Sequence, residues 1–361
     1  MQDKLKNKVV SILFIVVLFG FFLINVFSKK EDISLAERRK LQQFPEVSLK
    51  KVFNGQFFSK FDSYSMDQFY EREAFRKLKA MAEVHLFKKG NFHQISLFKN
   101  SLVEQLYPLN EASVLNFTRK LNDIYNKYLQ NNSSIFYSIV PDKNYYVEGS
   151  LKLDYAYLQD LVAKDLSWGK YINIFDVLDL DSYYKTDSHW KQEKLGKVVN
   201  TMASFMQIDA NVTYQEINVT PFEGVYSSRY PLSNVSDEIH ILKNDIIDNL
   251  TAYHVASSST KGIYDMEAIH GLDKYDIYLS GASPLIEIDN PLATTDKELI
   301  VFRDSFGSSL VPLLTPYYKK VIVVDIRYIP SKSLGDYINF NQQDILFLYS
   351  ISLINNSSSL R

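Results

Sequence analysis

Residues 298–314 read "ELIVFRDSFGSSLVPLL". A run of β-branched and aromatic residues, typical of a buried strand, turns within a few residues into a short helix that Pro316 stops. Ser305 stands at that turn. A hydroxyl there lies at the carboxyl edge of a sheet, and the free N–H groups of the first helical turn face an oxygen that becomes negative during acyl transfer. Gly307 lets the backbone approach closely, whereas Ser308 and Ser309 fall inside the helix and are poorer nucleophile candidates.

The same rhythm continues on both sides. Upstream, "SIFYSIVP" (134–141) reads as a strand, "LDYAYLQDLVAK" (153–164) as a helix, "YINIFDV" (171–177) as a strand and "KQEKLGKVVNTMASFM" (191–206) as a helix. Downstream come a strand in "VIVVDI" (321–326), a helix in "SKSLGDYINF" (331–340) and a last strand in "DILFLYS" (344–350). Short strands alternating with helices predict an α/β protein, its mostly parallel sheet covered on both faces. Residues 208–296 break the rhythm. They are rich in Tyr and Ser, show no helical period, and predict a β-rich insertion over one end of the sheet. Before the sheet, residues 56–89 predict an amphipathic helix, 92–106 a short β-like patch and 111–129 another helix.

The chain of 361 residues has a formal net charge of -2, with both signs interspersed, and no cysteine. No basic stripe points to nucleic acid, and disulfides, thiolate zinc sites and thiol nucleophiles are excluded together. The N-terminus carries the strongest compositional signal. Residues 9–27, "VVSILFIVVLFGFFLINVF", are free of charge. As a helix they span about 28 Å, close to the hydrocarbon thickness of a bilayer. A cleaved signal peptide would show a shorter apolar stretch and a small-residue cleavage site, and a core helix would keep a polar face. A retained anchor is expected, with Lys4, Lys6 and Lys8 inside and everything after residue 30 extracytoplasmic. The expected layout is a cytoplasmic tail (1–8), a transmembrane anchor (9–27), a charged stalk (28–55), a helical part (56–132) and a catalytic domain (133–355) holding the insertion.

Residues 183–190, "YYKTDSHW", occupy the place after the 171–177 strand that Ser305 occupies after its own. Asp187 and His189 have three readings: part of a metal site, two members of a triad, or ordinary loop residues. For a metal, the remaining histidines are scattered and offer neither H-x-x-x-H spacing nor a carboxylate cluster, so none is assigned. For a triad, both motifs fall at one sheet edge, where open α/β sheets bind ligands. Asp187 would accept from His189 Nδ1, fixing the tautomer and leaving Nε2 to take the Ser305 proton. The bland reading makes Asp187 or Ser305 a helix N-cap and Trp190 core.

Taken together, "YYKTDSHW", "VFRDSFGSSLVPLL" and "VDIRY" resemble the DHHW family of SGNH-hydrolase-like proteins, related to the AlgX and AlgJ proteins of alginate O-acetylation. The resemblance extends to "AERRKLQQFPE", "DQFYEREAFRKLK", "IVPDKNYYV", "YLSGASPL" and "DILFLYS", nearly everything after the anchor. It implies an SGNH-like three-layer α/β/α sandwich with permuted motif order, and Asp187, His189 and Ser305 as the triad. Two departures stand out. Ser188 replaces the first histidine of the family's name, and Arg303 stands where SGNH hydrolases carry glycine, so the oxyanion hole is expected to be built differently. The Ser305 N–H is one expected donor and Gly281 a second. Lys143 is read either as lining the site or as an exposed strand-end lysine. Tyr184 and Trp190 are read either as stacking on a sugar ring or as packing.

The implied activity is transfer of acetyl groups to polysaccharide hydroxyls outside the membrane, without a cofactor, the acetyl groups coming from a multispanning membrane O-acyltransferase (MBOAT). The alternatives are a polysaccharide acetylesterase, with the same triad and the opposite outcome, and a non-catalytic carbohydrate-binding or assembly protein.

Overall fold

The uncharged N-terminal run forms one long helix, α1 (Gln2–Phe27), whose apolar side chains stand exposed from end to end. Residues 4–27 are long and apolar enough to cross a membrane. The computed structural model describes every residue except Met1, Leu35, Ala36 and Ala210, so those parts of the expected tail, stalk and insertion lie outside the described residues. The chain divides into two compact units, residues 1–92 and 93–361.

In the first unit the described residues of the expected stalk include regular elements. Strands β1 (Ile33–Ser34) and β2 (Arg39–Lys40) pair antiparallel, and helix α2 (Leu49–Phe53) is capped by the Ser48 side chain. The amphipathic stretch forms two helices, α3 (Gln56–Asp67) and α4 (Arg72–Met81), because Glu71 adopts a left-handed conformation between them.

The second unit begins with a hairpin of β3 (Ile95–Phe98) and β4 (Ser101–Glu104), followed by α5 (Glu111–Ile124). Residues 93–132, expected with the helical part, therefore pack in this unit. The reason is the apolar stripe of α5, whose Val114, Phe117, Leu121 and Ile124 are buried against the sheet. The sheet's parallel half contains β5 (Ile135–Val140), which precedes helix α6 (Tyr155–Asp165), and then β6 (Lys170–Tyr171). The 171–177 strand is much shorter than expected. After Tyr171 the Asn173 side chain accepts the Phe175 N–H, and the backbone coils into a 3₁₀ turn at Phe175–Val177. Helix α7 (Gly196–Met206) follows.

The expected insertion does two things. Strands β7 (Gln215–Phe222) and β8 (Asp237–Lys243) form a separate hairpin, with the short helix α8 (Val225–Arg229) between them and α9 (Asp245–Asp248) after them. Strands β9 (Thr251–His254), β10 (Ser259–Gly262) and β11 (Leu285–Asp289) instead join the main sheet antiparallel. The insertion thus widens the sheet as well as covering it. The rest is β12 (Glu298–Arg303), α10 (Gly307–Leu314), β13 (Lys320–Val324), β14 (Asp344–Ser350) and α11 (Ile351–Ile354). Residues 331–340 hold a 3₁₀ turn, Ser331–Asp336, in place of the expected helix.

The sheet order is β10-β9-β11-β13-β12-β14-β5-β6, parallel from β13 to β6. Strand alternation divides the core between its two faces. Val301 and Leu348 pack with α7 and α10, while Ile300, Phe302 and Phe347 pack with α5 and α6. This is a three-layer α/β/α sandwich. A third cluster, including Tyr184, Phe222, Tyr275 and Tyr278, joins the insertion to residues 183–190.

Candidate active site

Ser305 stands two residues beyond the end of β12, and the buried Asp304 carboxylate shapes the turn that holds it. Phe306 N–H donates to Asp304 Oδ1 (3.1 Å) and Ser350 N–H to Asp304 Oδ2 (2.8 Å), tying the turn to the end of the neighbouring strand β14. Gly307 is needed because a Cβ there would lie 2.6 Å from Arg303 Cβ. Ser308 and Ser309 are buried in α10.

His189 sits in a tight loop closed by the bridge between Tyr183 and Trp190, with Tyr184 N–H donating to the His189 carbonyl (3.0 Å). Asp187 Oδ1 receives both His189 Nδ1 (2.7 Å) and the His189 N–H (3.0 Å), and Asp187 Oδ2 receives the Val225 N–H (2.8 Å). On the other side of the ring, His189 Nε2 is 2.7 Å from Ser305 Oγ. The structure thus brings Asp187, His189 and Ser305 into one hydrogen-bonded line. Burial by itself pushes the Asp187 carboxyl up. The His189 ring and the N–H groups of His189 and Val225 more than offset that, holding it well below the usual carboxylate range. An ionised Asp187 takes a proton-bearing Nδ1, so Nε2 is free to accept the Ser305 hydroxyl proton.

The loop is held by residues remote in sequence. The Lys185 and Thr186 N–H groups donate to the Asp237 carboxylate (2.8 and 2.7 Å), as does Thr186 Oγ1 (2.6 Å). Gly224 N–H donates to Thr186 Oγ1 (2.8 Å), and a Cβ on Gly224 would lie 2.3 Å from Asp187 Cβ.

Lys143 is not an exposed strand-end lysine. It is buried, and its ammonium donates to the carbonyls of Leu102, Tyr184 (2.8 Å), Lys185 (3.1 Å) and Asp187 (3.2 Å). Burial pulls it down to about 7, against the pull of the Asp187 and Asp237 carboxylates. It ties the loop together, and its charge is turned to backbone. Lys143, Ser188, Tyr226 and Phe306 help to line a cavity of about 20 Å³, room for one water-sized group.

The other weaker expectations are corrected. Gly281 is no oxyanion donor, because its N–H is taken by the Tyr278 carbonyl (3.2 Å) in a turn with φ of 73°. Arg303 is wholly buried; its guanidinium donates to the Gly281 carbonyl (3.1 Å) and pairs with Asp325 (3.4 Å), so it supports the edge from beneath. Trp190 is also wholly buried, with Nε1–H donating to the Phe306 carbonyl (3.0 Å) and Ser309 Oγ (2.9 Å). The wholly buried Tyr184 hydroxyl meets that of Tyr278 (3.2 Å). Neither ring is open to a sugar. The Ser305 N–H has no acceptor among the described residues.

Tyr275 escaped the sequence reading. Its buried ring stacks on His189, with centroids 4.0 Å apart and planes within 14°, and its hydroxyl meets Ser309 Oγ at 2.8 Å. Its one signal in the sequence was membership of the Tyr-rich insertion.

No protein-family profile matches the chain, and no curated protein does. Solved structures do. A DHHW family protein from Eubacterium siraeum aligns with a TM-score of 0.59 at 17% identity, over 74% of this chain and 95% of its own. Bacillus cereus PatB1 with a sulfonyl adduct aligns at 0.58 and 18%, over 72% and 95%. The O-acetyltransferase domain of Pseudomonas putida AlgJ reaches 0.45 and 9%, over 72% and 92%, a partial likeness. The fold of the first two of these matches the resemblance read from the motifs.

Proposed function

We propose that this chain is a membrane-anchored, extracytoplasmic O-acetyltransferase that carries acetyl groups to polysaccharide hydroxyls on Ser305. The observation that carries the reading is the continuous hydrogen-bonded line from Asp187 through His189 to Ser305 Oγ.

In the first half-reaction Ser305 Oγ attacks the acetyl carbonyl as its proton passes to His189 Nε2. The carbonyl oxygen takes the electron pair and rests at the Ser305 N–H. The carbonyl reforms as the donor's leaving group departs with the proton from His189, leaving acetyl-Ser305. In the second, a sugar hydroxyl gives its proton to His189 and attacks the acetyl carbon; Ser305 leaves and recovers that proton. Asp187 stabilises the imidazolium in both halves without taking its proton. In this reading α1 anchors the chain with its N-terminus inside, and an MBOAT-type partner supplies acetyl groups from across the membrane.

The test uses the full chain with an activated acetyl ester. One equivalent of leaving group should appear in a burst, and peptide mapping should find the acetyl group on Ser305. Added oligosaccharide should then be acetylated faster than acetate is released. Wild-type protein that never acetylates Ser305 overturns the reading; acetate release that no sugar diverts would make the chain an esterase.

A further inference from the structure

Exposed large apolar residues are unevenly placed. Between Phe44 and Phe87 the first unit exposes Phe53, Phe58, Phe61, Met66, Phe69 and Phe75, among others, beside α1. These helices are fastened to the last turns of α1. Tyr70 N–H donates to Asn25 Oδ1 (2.9 Å), and the Phe21 ring packs on Phe69 (6.3 Å) and Phe75 (6.0 Å). An apolar cavity of about 450 Å³ lies between them, walled by Phe21, Phe22 and Val26 on one side and Phe44, Phe61 and Phe69 on the other.

Phe21 lies six residues before the end of the uncharged run, about 9 Å along the helix axis. Rings that touch Phe21 therefore sit at that depth once α1 spans a bilayer, the depth at which interfacial helices bury their apolar faces. Charge agrees. Residues 29–92 hold fourteen Lys and Arg against nine Asp and Glu, net +5, while residues 93–361 are net -9. Positive charge is concentrated next to the span, as binding to anionic headgroups requires.

We infer that helices α2 to α4 form a collar that lies in the headgroup and upper acyl region of an anionic phospholipid bilayer, lipid covering the exposed phenylalanines and filling the cavity against α1. The inference rests on α1 spanning the membrane and is independent of the acetyl chemistry.

The native absence of cysteine allows single nitroxide labels on the full chain, at Phe53, Phe58 and, as a reference within the span, Val16. In nanodiscs, relaxation by oxygen and by a water-soluble nickel chelate reads the depth of each label. The Phe53 and Phe58 labels should favour oxygen at least several-fold over a free nitroxide in buffer. They should lie deeper in discs containing phosphatidylglycerol than in phosphatidylcholine alone, a difference that high salt removes. Collar labels that read as water while Val16 reads as lipid overturn the inference, and so does insensitivity to lipid charge. Labels shielded from both reagents would mean that protein covers the face, either a second copy, seen as a distance between labels, or a bound partner, and would equally overturn it. A Val16 label reading as water would remove the span itself.

Discussion

The Tyr275 ring lies almost flat on the His189 imidazole, 4.0 Å between centroids and 14° from parallel. That stack fixes the ring plane, while Asp187 and Ser305 fix its rotation within that plane. Under the proposed mechanism it also places an electron-rich face against the charge that would form when His189 takes the Ser305 proton. Tyr275→Phe keeps the stack and loses only the hydroxyl contact with Ser309, so acetylation of Ser305 should stay within about threefold of wild type. Tyr275→Leu removes the stack and should slow acetylation by roughly tenfold with the fold intact. Single-turnover rates beside a denaturation midpoint check this; equal rates for the two variants would show that the ring only fills space.

Asp187→Asn should lower Ser305 acetylation on the order of 10⁴-fold, because an amide admits the wrong imidazole tautomer. Ser188→Ala should change little. The pH dependence of stability follows from the depressed carboxyl. In the unfolded chain Asp187 titrates near 3.9, about the free value. The folded chain binds that proton only at lower pH, so the stability due to the carboxylate is complete above the unfolded value and is lost as pH falls through the folded one. Denaturant titrations should therefore show a constant gap between wild type and Asp187→Asn from neutral pH down to about pH 5, closing in stronger acid.

Lys143→Met keeps much of the side-chain volume but strands three carbonyls, at Leu102, Tyr184 and Asp187, while that of Lys185 keeps the Leu102 N–H (2.7 Å). At about 1–3 kcal/mol for each unmet buried group, partly relieved by relaxation, the variant should lose roughly 3 kcal/mol or more of stability. Lys143→Arg should fare poorly too, since a planar guanidinium cannot occupy the place of a compact ammonium. Urea midpoints measure both; wild-type stability in Lys143→Met would show that the ammonium contributes nothing.

Gly224→Ala tests the other side of the loop. Its methyl group would lie 2.3 Å from both Asp187 Cβ and the Thr186 carbonyl oxygen. Either the loop moves and His189 loses its partner, or the chain is destabilised by about 1–3 kcal/mol or more. Acetylation should fall by at least tenfold by either route, and a crystal structure would show which.

The strand-to-helix turn at Ser305 was legible because a strand run, a glycine and a helix stop lie within nineteen consecutive residues, 298–316. The Asp187–His189 pair was legible for the same local reason. What stayed hidden depends on chain distance. The four acceptors around Lys143 come from β4 and from residues 184–187, so a lysine after a strand gave no sign of burial. Gly281 shows the opposite error. A glycine in a turn was visible, but not that the turn takes its N–H inward to Tyr278. Strands β9 to β11 have the composition of any surface hairpin, and only pairing of β11 with β13 makes them part of the sheet.

The contact between His189 and Ser305 joins positions 116 residues apart, and its neighbours in the loop are held by Lys143, which precedes both, and by Val225, which lies between them. Such a centre has no local precursor: it comes into being only when non-local contacts close, late in folding. Under the proposed extracytoplasmic topology, a chain still being threaded across the membrane would have its aspartate, histidine and serine as three unrelated side chains on an extended polymer. If made inside and assembled outside, as proposed, the protein would meet the cell's own esters during export without a nucleophile to turn on them.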